Sequence, residues 1–273
     1  MELPAQTGSE DYVITLYRNG GDSAERNYTF NYSKERYAAL WTAYTLTESD
    51  ILETRATGSW AYYEGIGGQY QVNVKANSYG TNYNNDTYSR GHQIPDADRR
   101  LDADKAQTYY LTNQTPQIQN GFNSGVWSQL EKAGRGFVVS SGDNYNSSFT
   151  RTDVLYVVTG PCYGKDGTSE APSYLTAASS TIKPSSVPIP KYYWKAFLKV
   201  KRDSNGNVTS AKAIGFWFEH KTYSDSYTDH VVSVDQIETW TGFDLFTNLP
   251  GTQTSGIEQS AESNSSWTTF RDF

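Results

Sequence analysis

Apolar and polar positions alternate along the first part of the chain. Tyr12-Val13-Ile14-Thr15-Leu16-Tyr17, Asn27-Tyr28-Thr29-Phe30-Asn31-Tyr32 and Leu40-Trp41-Thr42-Ala43-Tyr44-Thr45-Leu46 set aromatic and β-branched side chains at period two, which predicts strands. Residues 47–85 break the pattern with Gly, Asn and Ser around Trp60, Tyr62 and Tyr63, and predict a long irregular connection. Asp96 to Lys105 reads as a charged turn and Tyr109-Tyr110-Leu111-Thr112 as a short strand. From Asn123 to Ala133 the spacing changes: Val126, Trp127 and Leu130 recur at three and four, and Asn123 is a suitable N-cap, so this segment predicts a helix with Trp127 on its packing face. Val154 to Pro161 and Tyr193 to Val200 predict strands, the first of them buried. Asp203-Ser204-Asn205-Gly206-Asn207 predicts a hairpin turn leading into a strand from Ala211 to Glu219. A second helix is expected after Ser233, stopping at Gly242. Strands and helices thus mix without an internal repeat. The fold class is a mixed α/β (α+β) architecture, a central antiparallel sheet with flanking helices, in a single domain over 1–273 whose ends, about 1–8 and 251–266, are expected to be mobile.

Composition narrows the class. With 273 residues, 36% hydrophobic and 15% aromatic, the chain has the side chains for one sizeable core, and its mean hydropathy of -0.69 is on the polar side of globular. No stretch approaches the roughly 18 consecutive apolar residues of a membrane helix, and Met1-Glu2-Leu3-Pro4 lacks the basic start of a signal peptide. No membrane insertion is expected. Cys162 is the only cysteine, which excludes an intrachain disulfide and a thiolate zinc cluster, and it reads as a buried small side chain. The abundance of Tyr, Gly, Asn and Ser resembles an exported bacterial protein, so the expected location is secreted, periplasmic or cell-surface. A net charge of -7 and a pI near 5.0 argue against a broad basic grip on nucleic acid; any phosphate chemistry must use positive potential confined to a cleft.

Candidate chemistry is concentrated in the centre of the chain. In Ser89-Arg90-Gly91-His92-Gln93, strand spacing would put Arg90 and His92 on one face, a cation beside an imidazole able to take a proton near pH 7. Asn123 supplies a hard oxygen suited to Mg²⁺. Glu131, eight residues further on, would sit about 12 Å along a continuous helix, and would reach the same ion only through water or if Asn123 precedes the regular helix and folds back. Arg135 continues that helix face. His220 and His230, ten apart, fit no shared helix face and read as structural. Asp96 and Asp98 beside Arg99 and Arg100 read as a solvated, salt-bridged loop.

Taken together, Ser89-Arg90-Gly91-His92-Gln93, Asn113-Gln114-Thr115-Pro116-Gln117 and Asn123-Ser124-Gly125-Val126-Trp127-Ser128-Gln129-Leu130-Glu131 closely resemble the signature segments of the DNA/RNA non-specific endonuclease family. The likeness continues through Trp41-Thr42-Ala43-Tyr44, Val157-Val158-Thr159-Gly160-Pro161, Ile189-Pro190-Lys191-Tyr192-Tyr193-Trp194-Lys195 and Asp235-Gln236-Ile237-Glu238. The resemblance implies a ββα-metal active site and cleavage of DNA and RNA with little base preference. It implies His92 as general base, Asn123 as the direct ligand of Mg²⁺ (with Mn²⁺ as substitute) and Glu131 as holder of metal-bound water. It further implies Arg90, Asn113 and Arg135 as phosphate or transition-state contacts, with Arg55 as a looser match for another substrate-binding arginine. A homodimer is left open, and an inhibitor protein is unknown. Two departures stand out: Ser89 replaces the aspartate that opens the family signature, and the disulfides of some relatives cannot form. The alternative reading is a catalytically impaired surface or glycan-binding module on the same fold; a third keeps the enzyme but gives it another phosphodiester.

Overall fold

The three N-terminal alternating segments pair as an antiparallel meander, β1 (Tyr12–Tyr17), β2 (Arg26–Ser33) and β3 (Ala38–Leu46). The structure is a computed structural model, and it describes residues 1–5, 12–19, 24–51, 58–75, 78–79, 82–83, 86–139, 148–165, 172–252 and 254–273. In chain order there follow β4 (Asn82–Tyr83), β5 (Asp86–His92), α1 (Asp102–Thr108), β6 (Gln114–Ile118), α2 (Ser128–Gly136), β7 (Leu155–Cys162), β8 (Ser173–Thr176), β9 (Ser186–Ile189), β10 (Tyr192–Arg202), β11 (Val208–Glu219), β12 (Val231–Val232), α3 (Val234–Thr241), α4 (Gly256–Glu262) and α5 (Trp267–Arg271). One sheet has the order β1-β2-β3-β7-β10-β11-β12, every pair antiparallel; β4-β5-β6 form a separate small sheet and β8-β9 a hairpin.

The long sheet is buried on both faces, and strand alternation sorts its side chains between two cores. On β10, Tyr193 and Phe197 enter a core shared with Phe122, Trp127, Leu130 and Phe137. Trp194, Ala196 and Leu198 enter the other, shared with Val234 and Ile237 of α3 and Ala261 of α4. The segment that follows β6 therefore covers one face and α3 and α4 the opposite one. Val234 and Ile237 are fully buried, and each such side chain contributes roughly 1.5–3 kcal/mol by leaving water.

Local signals hold where they predict local structure. Ser233 caps α3 by accepting from the Gln236 N–H at 3.1 Å, and Gly242 ends it at φ +76°, a backbone state open to glycine. Asp203 Oδ1 accepts from the Asn205 and Asn207 N–H groups, both at 2.9 Å, closing the hairpin between β10 and β11.

Two expectations are corrected. Tyr109–Thr112 is not a strand: it leaves the end of α1 and enters a tight turn over Leu111–Asn113, and Tyr110 makes a single bridge to Ala61. The charged run is not a solvated loop over Asp96–Arg100, because Asp96, Asp98 and Arg99 are buried, and the expected turn out to Lys105 passes into α1. The 251–266 segment carries α4, with Ala261 and Glu262 fully buried. At the N-terminus Glu2 is buried against Arg26, and the Ala5 N–H donates to Asp244 O at 2.8 Å. No helix among the described residues is long and apolar enough to cross a membrane.

Candidate active site

Ser89, Arg90 and His92 hang on β5 of the β5–β6 ribbon. Ser89, Arg90 and His92 pair with Gln117, Pro116 and Gln114, and period two sends Arg90 and His92 into the same cleft. Gly91 between them leaves room for a neighbour: a Cβ there would fall 2.2 Å from the Gln117 side chain, which would have to move. Pro116 is tolerated because β6 is the edge of its small sheet. Side chains from the long sheet fix the ribbon. Tyr193 OH donates to Pro116 O at 2.7 Å. His220 Nε2 accepts from the Ile118 N–H at 2.9 Å, so its proton sits on Nδ1, which faces Pro190 O at 2.9 Å. Burial favours this neutral ring and pushes the His220 pKa down to about 4.

Beyond β6 the chain does not run straight into a helix. Residues 119–127 form a wide irregular turn in which Asn120, Gly121 (φ +75°) and Gly125 (φ -114°, ψ -116°) leave helical geometry, and regular helix starts only at Ser128. Asn123 is therefore not the N-cap. The break folds it back over β5, and this fold-back lets Asn123 and Glu131 line one cleft despite their separation in sequence. Asn123 Nδ2 donates to Ser89 Oγ at 3.0 Å and to Gln119 Oε1 at 3.2 Å. No described residue donates to its Oδ1. Ser89, the departure from the family signature, thus orients the amide, and its own hydroxyl donates to Gln117 O at 3.3 Å.

The cleft has a volume of about 860 Å³ and holds Arg90, His92, Asn123, Glu131 and Arg135. The His92 ring packs against Trp60 (centroids 4.7 Å apart) and edge-on to Tyr109 (5.0 Å), while Trp60 also lies 5.0 Å from the Arg90 guanidinium. Tyr109 OH donates to Asp96 Oδ2 at 2.6 Å. Arg135 Nη1 is held by Asp98 Oδ1 at 2.8 Å, and Asp98 also accepts from Tyr44 OH at 2.9 Å. Burial pushes the Glu131 carboxyl up to about 7; Lys195 and Arg135 oppose the rise, and Asp98 and Asp96 add to it. Lys195 is 1% exposed beneath the site, its ammonium 4.7 Å from the Trp127 ring centroid. Burial pushes it down to about 8 against the pull of Glu131 and Asp98.

Five of the residues singled out by sequence therefore meet. Asn113 does not join them. It is buried, its Oδ1 accepts from the Ile94 N–H at 3.0 Å, and its Nδ2 donates to Ile94 O and Thr108 O at 2.9 and 2.8 Å, so the amide is consumed in shaping the loop after His92. Both of its amide N–H donors are thereby spent on backbone carbonyls. Arg55 lies outside the described residues. His220 and His230 are structural as read, His230 paired with Asp225 at 3.2 Å. Cys162 and Trp127 are buried as expected. Trp60 and Lys195 were not singled out; the only sequence hint for Lys195 is its place in the Ile189–Lys195 segment of the family likeness.

The family model described as DNA/RNA non-specific endonuclease matches residues 12–252. The chain belongs to that family. Among its relatives, "Nuclease 1, mitochondrial" of Schizosaccharomyces pombe is 23% identical over 218 residues, covering 77% of this chain and 61% of the relative. The "Mitochondrial nuclease" of Saccharomyces cerevisiae is 27% identical over 166 residues, 60% of this chain and 47% of the relative. The chain thus spans less than two thirds of either yeast protein. A nuclease of Nostoc sp. is 26% identical over 238 residues, 85% of this chain and 75% of its own. The EndoG/EndoGI complex contains a chain of the same fold, with a TM-score of 0.60 at 18% identity over 84% of both chains. The β5–β6 ribbon and α2 are accordingly the ββα motif of an endonuclease-family fold.

Proposed function

We propose that this family member is a metal-dependent endonuclease that hydrolyses DNA and RNA with little regard for sugar or base, acting as one nuclease domain over 1–273. The observation that carries the reading is the convergence of His92, Arg90, Asn123, Glu131 and Arg135 in one cleft. The donor set fits a hard divalent cation, Mg²⁺ with Mn²⁺ as substitute: the Asn123 amide is held by its nitrogen, its oxygen takes no bond from a described residue, and Glu131 faces the same space. Asn123 would hold the ion directly and Glu131 through water. Once bound, the ion would offset negative charge building on the phosphate and the leaving oxygen.

The chain's own groups do the rest. A neutral His92 takes a proton from the attacking water as its oxygen bonds to phosphorus and the bond to the leaving oxygen breaks. Trp60 and Tyr109 fix the plane of the ring, so little reorientation accompanies proton transfer. Arg90 and Arg135 offer guanidinium N–H groups to phosphate oxygens, contacts that carry no base information. These cations lie within the cleft, which reconciles phosphate chemistry with a net charge of -7. The composition supports an exported enzyme, and the EndoG/EndoGI complex supports a protein inhibitor as a partner class.

Supercoiled plasmid incubated with the purified protein should be cut, spared by EDTA, and cut again when Mg²⁺ is restored. His92→Ala should lower the rate by roughly 10²–10⁴-fold. Absence of cleavage with every divalent ion would defeat the proposal and favour a binding module; cleavage retained by His92→Ala would remove the assigned base.

A further inference from the structure

A second group of acidic side chains lies on the face of the long sheet away from the cleft. Asp235 and Glu238 stand one turn apart on α3, and Glu262 is the last residue of α4; one carboxylate oxygen from each lies within 4.8 Å of the others. Glu262 is fully buried, and neither of its carboxylate oxygens has a hydrogen-bond partner among the described residues. Nearby, Asp244 Oδ1 is also buried without a partner. The charges acting on Glu262 are the carboxylates of Glu238, Glu258, Asp235 and Asp244. Glu238 spends one oxygen on the Leu245 N–H at 2.6 Å. A folded chain that drives a carboxylate with two orphan oxygens into other carboxylates needs a positive charge there, or must hold protons on them.

We propose that Asp235, Glu238 and Glu262 bind a calcium-sized divalent cation that ties α4 to α3. The set is all oxygen, with no imidazole or thiolate to favour zinc or copper. Oxygens on opposite sides of Ca²⁺ stand about 4.6–5.2 Å apart, against about 4.1 Å across Mg²⁺, so a spread of up to 4.8 Å suits the larger ion. Asp235 and Glu238 are partly exposed and give the ion an entry path. The ion would satisfy the Glu262 oxygens and hold α4 on β11, a task distinct from phosphodiester cleavage and independent of the proposed activity.

The test uses the full-length chain carrying Asn123→Ala, which removes the direct ligand proposed for the cleft, and reads titration calorimetry and thermal unfolding with Ca²⁺ or Mg²⁺ alone. The expected result is one Ca²⁺ per chain, with a rise in Tm of roughly 5 °C at a hundred times Kd. Glu262→Gln and Asp235→Asn should each abolish both, and Mg²⁺ should act more weakly. Asp235→Asn decides the matter should Glu262→Gln fail to fold. No binding heat with an unchanged Tm would overturn the proposal, as would a Ca²⁺ response that survives either substitution. Metal-free variants more stable than their parent, with no Ca²⁺ response in either, would show a cluster held by protons and equally overturn it. None of these readouts depends on plasmid cleavage, so they stand or fall apart from the nuclease reading.

Discussion

His220 couples the stability of the β5–β6 ribbon to pH. In the folded chain its Nε2 must accept from the Ile118 N–H, and burial lowers its pKa from 6.5 to about 4. The unfolded chain therefore binds the proton first as pH falls, so the contribution of the neutral ring is complete above about 6.5 and is lost between 6.5 and about 4. The full loss is 2.5 × 1.36, or about 3 kcal/mol, and about 2 kcal/mol of it is gone by pH 5. Glu131 and Glu238 act in the opposite sense. Their folded pKa values are raised from 4.5 to about 7, so they stabilise the fold at low pH and lose that effect as pH rises through this window. The wild-type curve alone would mix the two, and the difference between wild type and His220→Phe isolates the histidine. Phenylalanine fits the ring site made by Tyr88, Phe122 and Tyr193 but leaves the Ile118 N–H unsatisfied, so the variant should be less stable by about 1–3 kcal/mol at pH 7.5. Urea unfolding followed by tryptophan fluorescence should show that gap closing by about 2 kcal/mol at pH 5. A gap that stays the same at both pH values would refute the assigned tautomer and its linkage to folding.

Asn113→Ala should cost about 2–3 kcal/mol in urea unfolding while leaving cleavage per folded molecule within a few-fold of wild type, because its amide serves backbone groups; a large fall in kcat at unchanged stability would restore it to the catalytic set. Ser89→Ala removes the acceptor that orients the Asn123 amide and should raise the Mg²⁺ concentration for half-maximal cleavage by roughly 10-fold, so superimposable titrations would count against the orienting role. Lys195→Met removes a charge that holds the Glu131 pKa down, so the acidic limb of the pH–rate profile should move toward higher pH, with activity at pH 7 lowered and alkaline activity kept. An unmoved acidic limb would separate Lys195 from Glu131.

Period two and a few turn residues made much of the long sheet legible, because a strand face, the Ser233 cap and the Asp203 turn are decided by neighbours in sequence. The signature segments likewise led to Arg90, His92, Asn123 and Glu131. What stayed hidden depends on distant partners. Asp98 and Arg99 look solvated in a charged run, yet Arg135, Tyr44 and Asn27 from remote segments supply the bonds that let them be buried. Val126, Trp127 and Leu130 all follow Gly125, so their apolar spacing reports the packing face that leads into α2 and carries no sign of the backbone break before it. Trp60 reaches His92 only because the irregular loop is clipped to the end of α1, with the Ala61 N–H donating to Tyr109 O at 3.1 Å and the Leu111 N–H to Ala61 O at 2.9 Å.

The alternation along β10 makes one strand register serve two purposes. Trp194 opposite Gly160 fills one core, while its neighbour Lys195, opposite Thr159, sets the potential beneath Glu131. A slip of one residue would drive an ammonium among the tryptophans on one side and leave an indole below the carboxylate on the other. A mispaired molecule would thus lose its packing and its proton chemistry in the same event. Under the proposed function, cleavage would be a readout of strand alignment, and a population that cuts would already have passed the alignment check.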